Sequence, residues 1–233
     1  MRITIRRFSR LFLAVIVALS MLHAGQASAV VLNSSADVDK HKKLADYFYS
    51  RQMFEVMYRL GVEQDRKFGL QQGCASRYNV KPIGMALVSP IDFPEKRQNP
   101  VKGAWTFRYT LTRCGEEKAY NVMFYADEAG GTPLARSYYP GTSAANPKLI
   151  YDTMPMAMST ARFRSGSKEA RDIEVFDMRI DEPPHDVEEN GKVFKKVWSE
   201  VWTFKVSGKP VEVPIQFIPD ADGRGTTFSM HVN

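Results

Sequence analysis

Two cysteines and four histidines are all that the 233 residues carry of the side chains most used for redox chemistry and metal binding. Neither cysteine belongs to a C-x-x-C pair, which excludes the common dithiol motif, and two are too few for a disulfide-dense scaffold. G-x-S-x-G, H-E-x-x-H, a phosphate-binding loop and G-x-G-x-x-G are also absent, so the local signatures of the main hydrolase, zinc-protease and nucleotide-binding classes are missing. Beyond residue 29, His41, His185 and His231 stand far apart and read as surface or loop residues rather than ligands or bases. No metal and no cofactor is expected. Long apolar runs are lacking too, since the longest covers about a dozen residues against the ~20 that span a bilayer. A composition 44% hydrophobic and 25% charged is globular, which leaves out disorder, collagen and coiled coil.

The charge looks at first like an attraction to polyanions. Lys plus Arg is 32 against 26 Asp plus Glu, a formal +6. Its distribution says otherwise. Residues 1–29 combine Arg2, Arg6, Arg7 and Arg10, the apolar stretch Leu11 to Leu22, and the small-residue tail Ala27-Ser28-Ala29. That is the plan of a secretory signal peptide with cleavage after Ala29. No cysteine follows the apolar stretch to take a lipid, so no stable membrane anchor is expected after cleavage, and the expected location is the periplasm. Removing four arginines and no acid leaves a mature charge of about +2. The remaining basic runs, Lys40 with Lys42 and Lys43 and then Lys195-Lys196, have acids close by, so no nucleic-acid partner is expected.

The mature chain repeats itself. At an offset of 93 residues, the separation of Trp105 and Trp198, no gap is needed from about Met53 to Gly131. Trp105 falls on Trp198, Tyr109 on Trp202, Thr110 on Thr203, Gly115 on Gly208, Phe124 on Phe217, Asp127 on Asp220 and Gly130 on Gly223. These are strand aromatics and turn residues, the types that a shared fold keeps. Cys74 falls on Ser167 and Cys114 on Ser207, so the only cysteines are replaced together. In an oxidising compartment that points to a Cys74–Cys114 disulfide, the alternative being two buried free thiols.

Each copy reads as a helix followed by three strands. In the first, apolar residues recur at helical spacing from about Asp37, and Gly73 precedes a switch to period two. Strands follow at Val80 to Val88, Trp105 to Arg113 and Ala119 to Tyr125, with a tight turn at Cys114-Gly115. The second opens at Asn146-Pro147, an N-cap with proline at the first helical position, and Pro155 is expected to kink or restart that helix. Its strands are Ile173 to Ile180, Val197 to Val206 and Val211 to Ile218, with Asn190-Gly191 a turn in the first intervening loop. Pro214 suggests that the last strand is an edge or is bulged. The expected architecture is α+β, two pseudo-symmetric α-β-β-β repeats with antiparallel strands that share a sheet or pack together. The repeats span 30–131 and 146–233, with 132–145 as connector.

Three features bear on chemistry. Strand alternation puts Glu200 on one face with Trp198, Trp202 and Phe204, and a carboxylate between two indoles is either paired or exposed in a groove. Phe107 stands at the matching position of the first copy, so the duplicated fold does not require the acid. Trp198, Glu200 and Trp202, with Trp105 and Tyr109 of the first copy, are the candidate ligand-binding residues. The run Met154-Pro155-Met156-Ala157-Met158 offers thioethers that suit Cu(I), although on a helix Met154 and Met158 share a face that Met156 does not. Asp220 to Gly225 looks like half a calcium loop, but it lacks the distal Glu and matches the turn residues at Asp127 to Gly131.

The pattern Trp-x-x-x-Trp/Tyr-Thr, then Cys/Ser-Gly, then Phe-x-x-Asp-x-x-Gly is carried by Trp105, Tyr109, Thr110, Cys114, Gly115, Phe124 and Asp127. It recurs in Trp198, Glu200, Trp202, Thr203, Gly208, Phe217 and Asp220. With this pattern the chain resembles a group of exported proteobacterial proteins for which no activity is established. The likeness covers the two hairpins, roughly a quarter of the chain, and Ser207 departs from the cysteine common in the group. It implies export and an antiparallel hairpin core. The expected function is that of a non-catalytic envelope protein binding a small apolar ligand or another envelope protein through the interface between repeats. The alternatives are a periplasmic enzyme using carboxylates near Glu200 and, less central, a Cu(I)-binding protein through Met154, Met156 and Met158.

Overall fold

In the computed structural model, residues 29–230 are described apart from 33, 41, 71 and 168. Most of the expected signal peptide, together with His41 and His231, therefore lies outside the described residues. The fold is α+β and consists of two helix-and-sheet units with separate antiparallel sheets, so the repeats pack together rather than share a sheet. The first unit contains β1 (Ala29–Leu32), a 3₁₀ turn (Ser35–Lys40), α1 (Lys42–Phe48) and α2 (Arg51–Phe68). Then come β2 (Asn79–Pro94), β3 (Lys102–Arg113), β4 (Glu116–Tyr125) and β5 (Leu134–Tyr138), and its sheet runs β1-β2-β3-β4-β5. The second unit has α3 (Pro147–Arg164), β6 (Ile173–Glu189), β7 (Lys192–Val206), β8 (Lys209–Pro219) and β9 (Thr226–Met230), in the order β6-β7-β8-β9.

The duplication is carried by the hydrogen-bond register. Trp105 pairs with Phe124 and Trp198 with Phe217, and both pairs stack, at 5.3 Å and 10° in one case and 4.8 Å and 12° in the other. Each β3–β4-type hairpin turns through two residues of positive φ, Cys114-Gly115 (49° and 82°) and Ser207-Gly208 (50° and 78°). This left-handed pair matches the twist of the flanking strands, and glycine at its second position adopts it without strain. A fourth strand extends the repeat on each side. Val122 pairs with Ser137 as Ile215 pairs with Met230, and Phe124 with Ala135 as Phe217 with Phe228. The segment 132–145 is thus a connector only from residue 139 onward. Its first half is β5, a strand whose five residues, Leu-Ala-Arg-Ser-Tyr, show no period-two alternation to detect.

Other local features depart from expectation for identifiable reasons. The first helix is broken at Tyr49-Ser50 because Ser50 is an N-cap, its hydroxyl accepting from the Met53 N–H at 3.4 Å. It ends at Gly69, in left-handed conformation with φ 68°, ahead of Gly73. Helix α3 begins as expected, with Asn146 Oδ1 accepting from the Leu149 N–H at 2.9 Å, but it runs through Pro155 without restarting. Pro155 lies on the exposed face, where water can satisfy the carbonyl that loses its donor. The first intervening loop of the second unit is instead a continuous hairpin, turning at Asn190-Gly191 with φ 52° and 73°. Pro214 lies in β8 between two strands, without a register shift against β7, and sits just past the pairs that β9 makes with Ile215 to Pro219.

Each unit buries its own core. Phe48, Met53, Met57 and Leu60 pack on Trp105, Phe107, Tyr109, Tyr120 and Phe124 in the first, and Ile150, Met154, Ala157 and Ala161 pack on Trp198, Trp202, Phe204 and Phe217 in the second. The Cys74–Cys114 disulfide is present, with a Cα separation of 6.3 Å across 40 residues of sequence. It staples the segment after α2 to the β3–β4 turn. No helix among the described residues is long and apolar enough to cross a membrane.

Candidate ligand site at the junction of the two units

Strand alternation turns Glu200 into the second core, where it is fully buried. Five donors meet its two carboxylate oxygens. Oε1 accepts from the Trp198 Nε1–H (2.9 Å), the Ser143 hydroxyl (2.9 Å) and the backbone N–H groups of Ala144 (2.9 Å) and Ala145 (3.3 Å), while Oε2 accepts from the Trp202 Nε1–H (2.7 Å). A buried carboxylate is tolerable only with such a set of partners. Its partners are indoles, one hydroxyl and backbone, and no ion pair joins it to a cation among the described residues. Three of the five belong to the connector, so the acid fastens residues 143–145 to β7 immediately ahead of the N-cap of α3.

The first unit holds the same connector from the other side. On the face of its sheet opposite the core, Arg108 of β3 donates from Nε to Asn121 Oδ1 (3.2 Å) and from Nη2 to the Ser143 carbonyl (3.1 Å). Asn121 of β4 donates to the carbonyls of Tyr139 (2.7 Å) and Gly141 (2.9 Å). Burial pushes the Arg108 guanidinium below its ordinary pKa, and the field of Glu200 acts in the opposite direction. Gly141 completes the crossing: its N–H donates to the Ala119 carbonyl, the next N–H at Thr142 donates to the Met178 carbonyl, and φ is 95°. A Cβ there would lie 2.2 Å from the Met178 oxygen, so only glycine fits.

Three cavities open on this junction, the third, of about 520 Å³, lying between Phe68 of α2, Tyr139 of the connector and Met154 and Met158 of α3. One of about 310 Å³ lies between Leu87, Arg108 and Asn121 of the first unit, the connector, and Ile150 and Met178 of the second. Another, about 710 Å³, is a wider cleft bordered by Leu111, Lys118, Phe176 and Arg179. Lys118 is already engaged in that cleft, 3.3 Å from Asp177 and 4.2 Å from the Phe176 ring centre. Further contacts join the units at its rim, where Lys205 Nζ donates to the Phe68 carbonyl at 2.8 Å and Phe68 meets Phe176 edge-on at 5.1 Å.

The five candidate ligand-binding residues lie elsewhere. Trp105, Tyr109, Trp198, Glu200 and Trp202 are all buried in the two cores, and none of the three junction cavities is lined by any of them. Met154 and Met158 both border the third cavity, while Met156 is exposed on the far side of α3. His185 is exposed, with Nδ1 2.9 Å from the Pro183 carbonyl. Asp220 to Gly225 forms a turn, closed by the Asp220 N–H on the Gly225 carbonyl at 3.0 Å. No group of three or more His, Cys, Asp or Glu able to hold a metal occurs among the described residues.

Sequence reasoning did not single out Arg108, Asn121 or Ser143. A signal existed nevertheless. At the offset of the repeat, Arg108 falls on Val201 and Asn121 on Pro214, as Phe107 falls on Glu200. These three departures gather at the junction of the two units. Compared with known proteins, the chain significantly matches no protein-family model, no curated protein and no solved structure.

Proposed function

We propose that this is an exported, non-catalytic envelope protein that binds a small, largely apolar ligand at the junction of its two units. The observation that carries the reading is the 310 Å³ cavity, which is lined from both units and from the connector between them and is of the size that takes a small ligand. Glu200, the acid on which an enzymatic reading would rest, has both oxygens engaged by five donors and no opening to a substrate. The disulfide suits an oxidising compartment, and the composition of residues 1–29 suits delivery to the periplasm.

The test is native mass spectrometry of the protein isolated from its own envelope fraction. The reading expects a chain beginning after Ala29, an intact disulfide and a bound small molecule that is lost when Met178→Trp fills the cavity. A chain that carries no small molecule and binds none from an envelope extract would overturn the ligand-binding reading.

A further inference from the structure

The 310 Å³ cavity has apolar walls and one cation. Ala86, Ile150, Met178 and Pro147 supply hydrocarbon, whereas the polar side chains at its edge are mostly committed: Asn121 to Arg108 and two carbonyls, Thr106 to the Ala86 carbonyl, Ser143 to Glu200. Arg108 carries the one charge of the lining and is only partly committed. Its Nε and Nη2 each make one hydrogen bond, and its Nη1 has no hydrogen-bond partner among the described residues. A guanidinium fixed at two nitrogens with a third free is pre-organised to receive an oxyanion.

Resting on the ligand-binding reading above, we infer that the ligand is a monocarboxylate whose head docks on Arg108 and whose apolar body lies along Ala86, Ile150 and Met178. At ~30 Å³ for each water-sized volume, the cavity takes a molecule of about ten non-hydrogen atoms. Charge also limits the class. Glu200 is linked to Arg108 through Ser143, whose carbonyl accepts from the arginine and whose hydroxyl donates to the acid. One negative charge therefore already stands behind the arginine, and a dianionic head such as a phosphate monoester is disfavoured relative to a carboxylate.

Titration calorimetry with octanoate, 1-octanol and octyl phosphate, which share one apolar body, tests this on the intact mature protein. Octanoate should bind at least about tenfold more tightly than octanol and more tightly than octyl phosphate. Arg108→Lys should keep most of the preference over octanol, and Arg108→Gln should remove it. Octanol binding as tightly as octanoate, or Arg108→Gln retaining the preference, would overturn the monocarboxylate inference and leave the ligand-binding reading standing. Octyl phosphate binding more tightly than octanoate would equally overturn the choice of carboxylate. Failure of all three to bind would overturn the monocarboxylate inference alone, the ligand-binding reading being decided by the native mass spectrometry. The head-group comparison on the unmodified protein decides the matter even if a variant does not fold.

Discussion

The two units solve one packing problem in different ways. Both lay a tryptophan on a phenylalanine in the adjacent strand, and both place a second aromatic four residues further along the same face. In the first unit Phe107 stands between Trp105 and Tyr109, and the buried Trp105 indole N–H has no acceptor among the described residues. In the second, Glu200 stands between Trp198 and Trp202 and accepts from both. The first unit instead buries a carboxylate on its helix, where Asp65 accepts from the Tyr120 hydroxyl, and closes its hairpin with a disulfide. A fold that tolerates Phe or Glu at one position does not need the acid for its sheet. What the acid adds is the connector, and with it the junction at which the units meet.

The largest effect is expected from removing that acid. Glu200→Met leaves two indole N–H groups and the Ala144 N–H buried without an acceptor, while the Ala145 N–H keeps Ser143 Oγ at 3.0 Å, and should cost about 3–5 kcal/mol in denaturant unfolding, comparable to breaking a buried charge network. If the acid is not what separates the units, the loss will be no greater than for Phe107→Met. Next is the disulfide. Cys74→Ser with Cys114→Ser should lower stability by about 2–4 kcal/mol, since the bridge closes a loop of some forty residues. Exchange protection should fall in β3 and β4 while β7 and β8 remain near wild type. Equal loss in both sheets would show that they unfold as one cooperative block.

The tryptophans give a smaller and more pointed contrast. Trp202→Phe strands Glu200 Oε2 and should cost about 1–3 kcal/mol more than Trp105→Phe, which deletes a donor that already lacks a partner among the described residues. The smallest effect is one of pH. Burial, first of all, raises the Tyr109 and Tyr120 hydroxyls above the ordinary tyrosine range, with the Asp65 carboxylate adding to the shift. An acid raised on folding contributes stability that is intact below the unfolded pKa of about 10 and is lost as pH rises above it. The first unit should therefore weaken in alkali, whereas the corresponding aromatic of the second is the non-titrating Trp202. Tyr109→Phe should move the alkaline unfolding midpoint upward by about half a pH unit, and no movement would remove this difference between the units.

Much of this was legible in the sequence for a simple reason: aromatic alternation and turn glycines are local, and they repeat. Trp105/Trp198, Gly115/Gly208 and the Cys74–Cys114 pair point directly to two related units. The burial of Glu200 was only half legible. Alternation places it among indoles, but its main partners, Ser143 to Ala145, come from a connector whose path depends on Gly141 and Asn121. The junction cavity was not legible, because it is assembled from β2, β3, β4, α3 and β6, and no local pattern brings those together. β5 escaped notice because a five-residue strand acquires its register from β4 rather than from its own sequence.

The central claim is that Glu200 holds the connector in place and so defines the junction. Amide hydrogen exchange at Ala144 and Ala145, compared between the wild type and Glu200→Met, tests it most directly. The account predicts protected amides in the wild type and exchange accelerated about a hundredfold or more in the variant, with the β3 and β4 amides of the first unit unchanged. Protection at Ala144 and Ala145 that survives the substitution would contradict it.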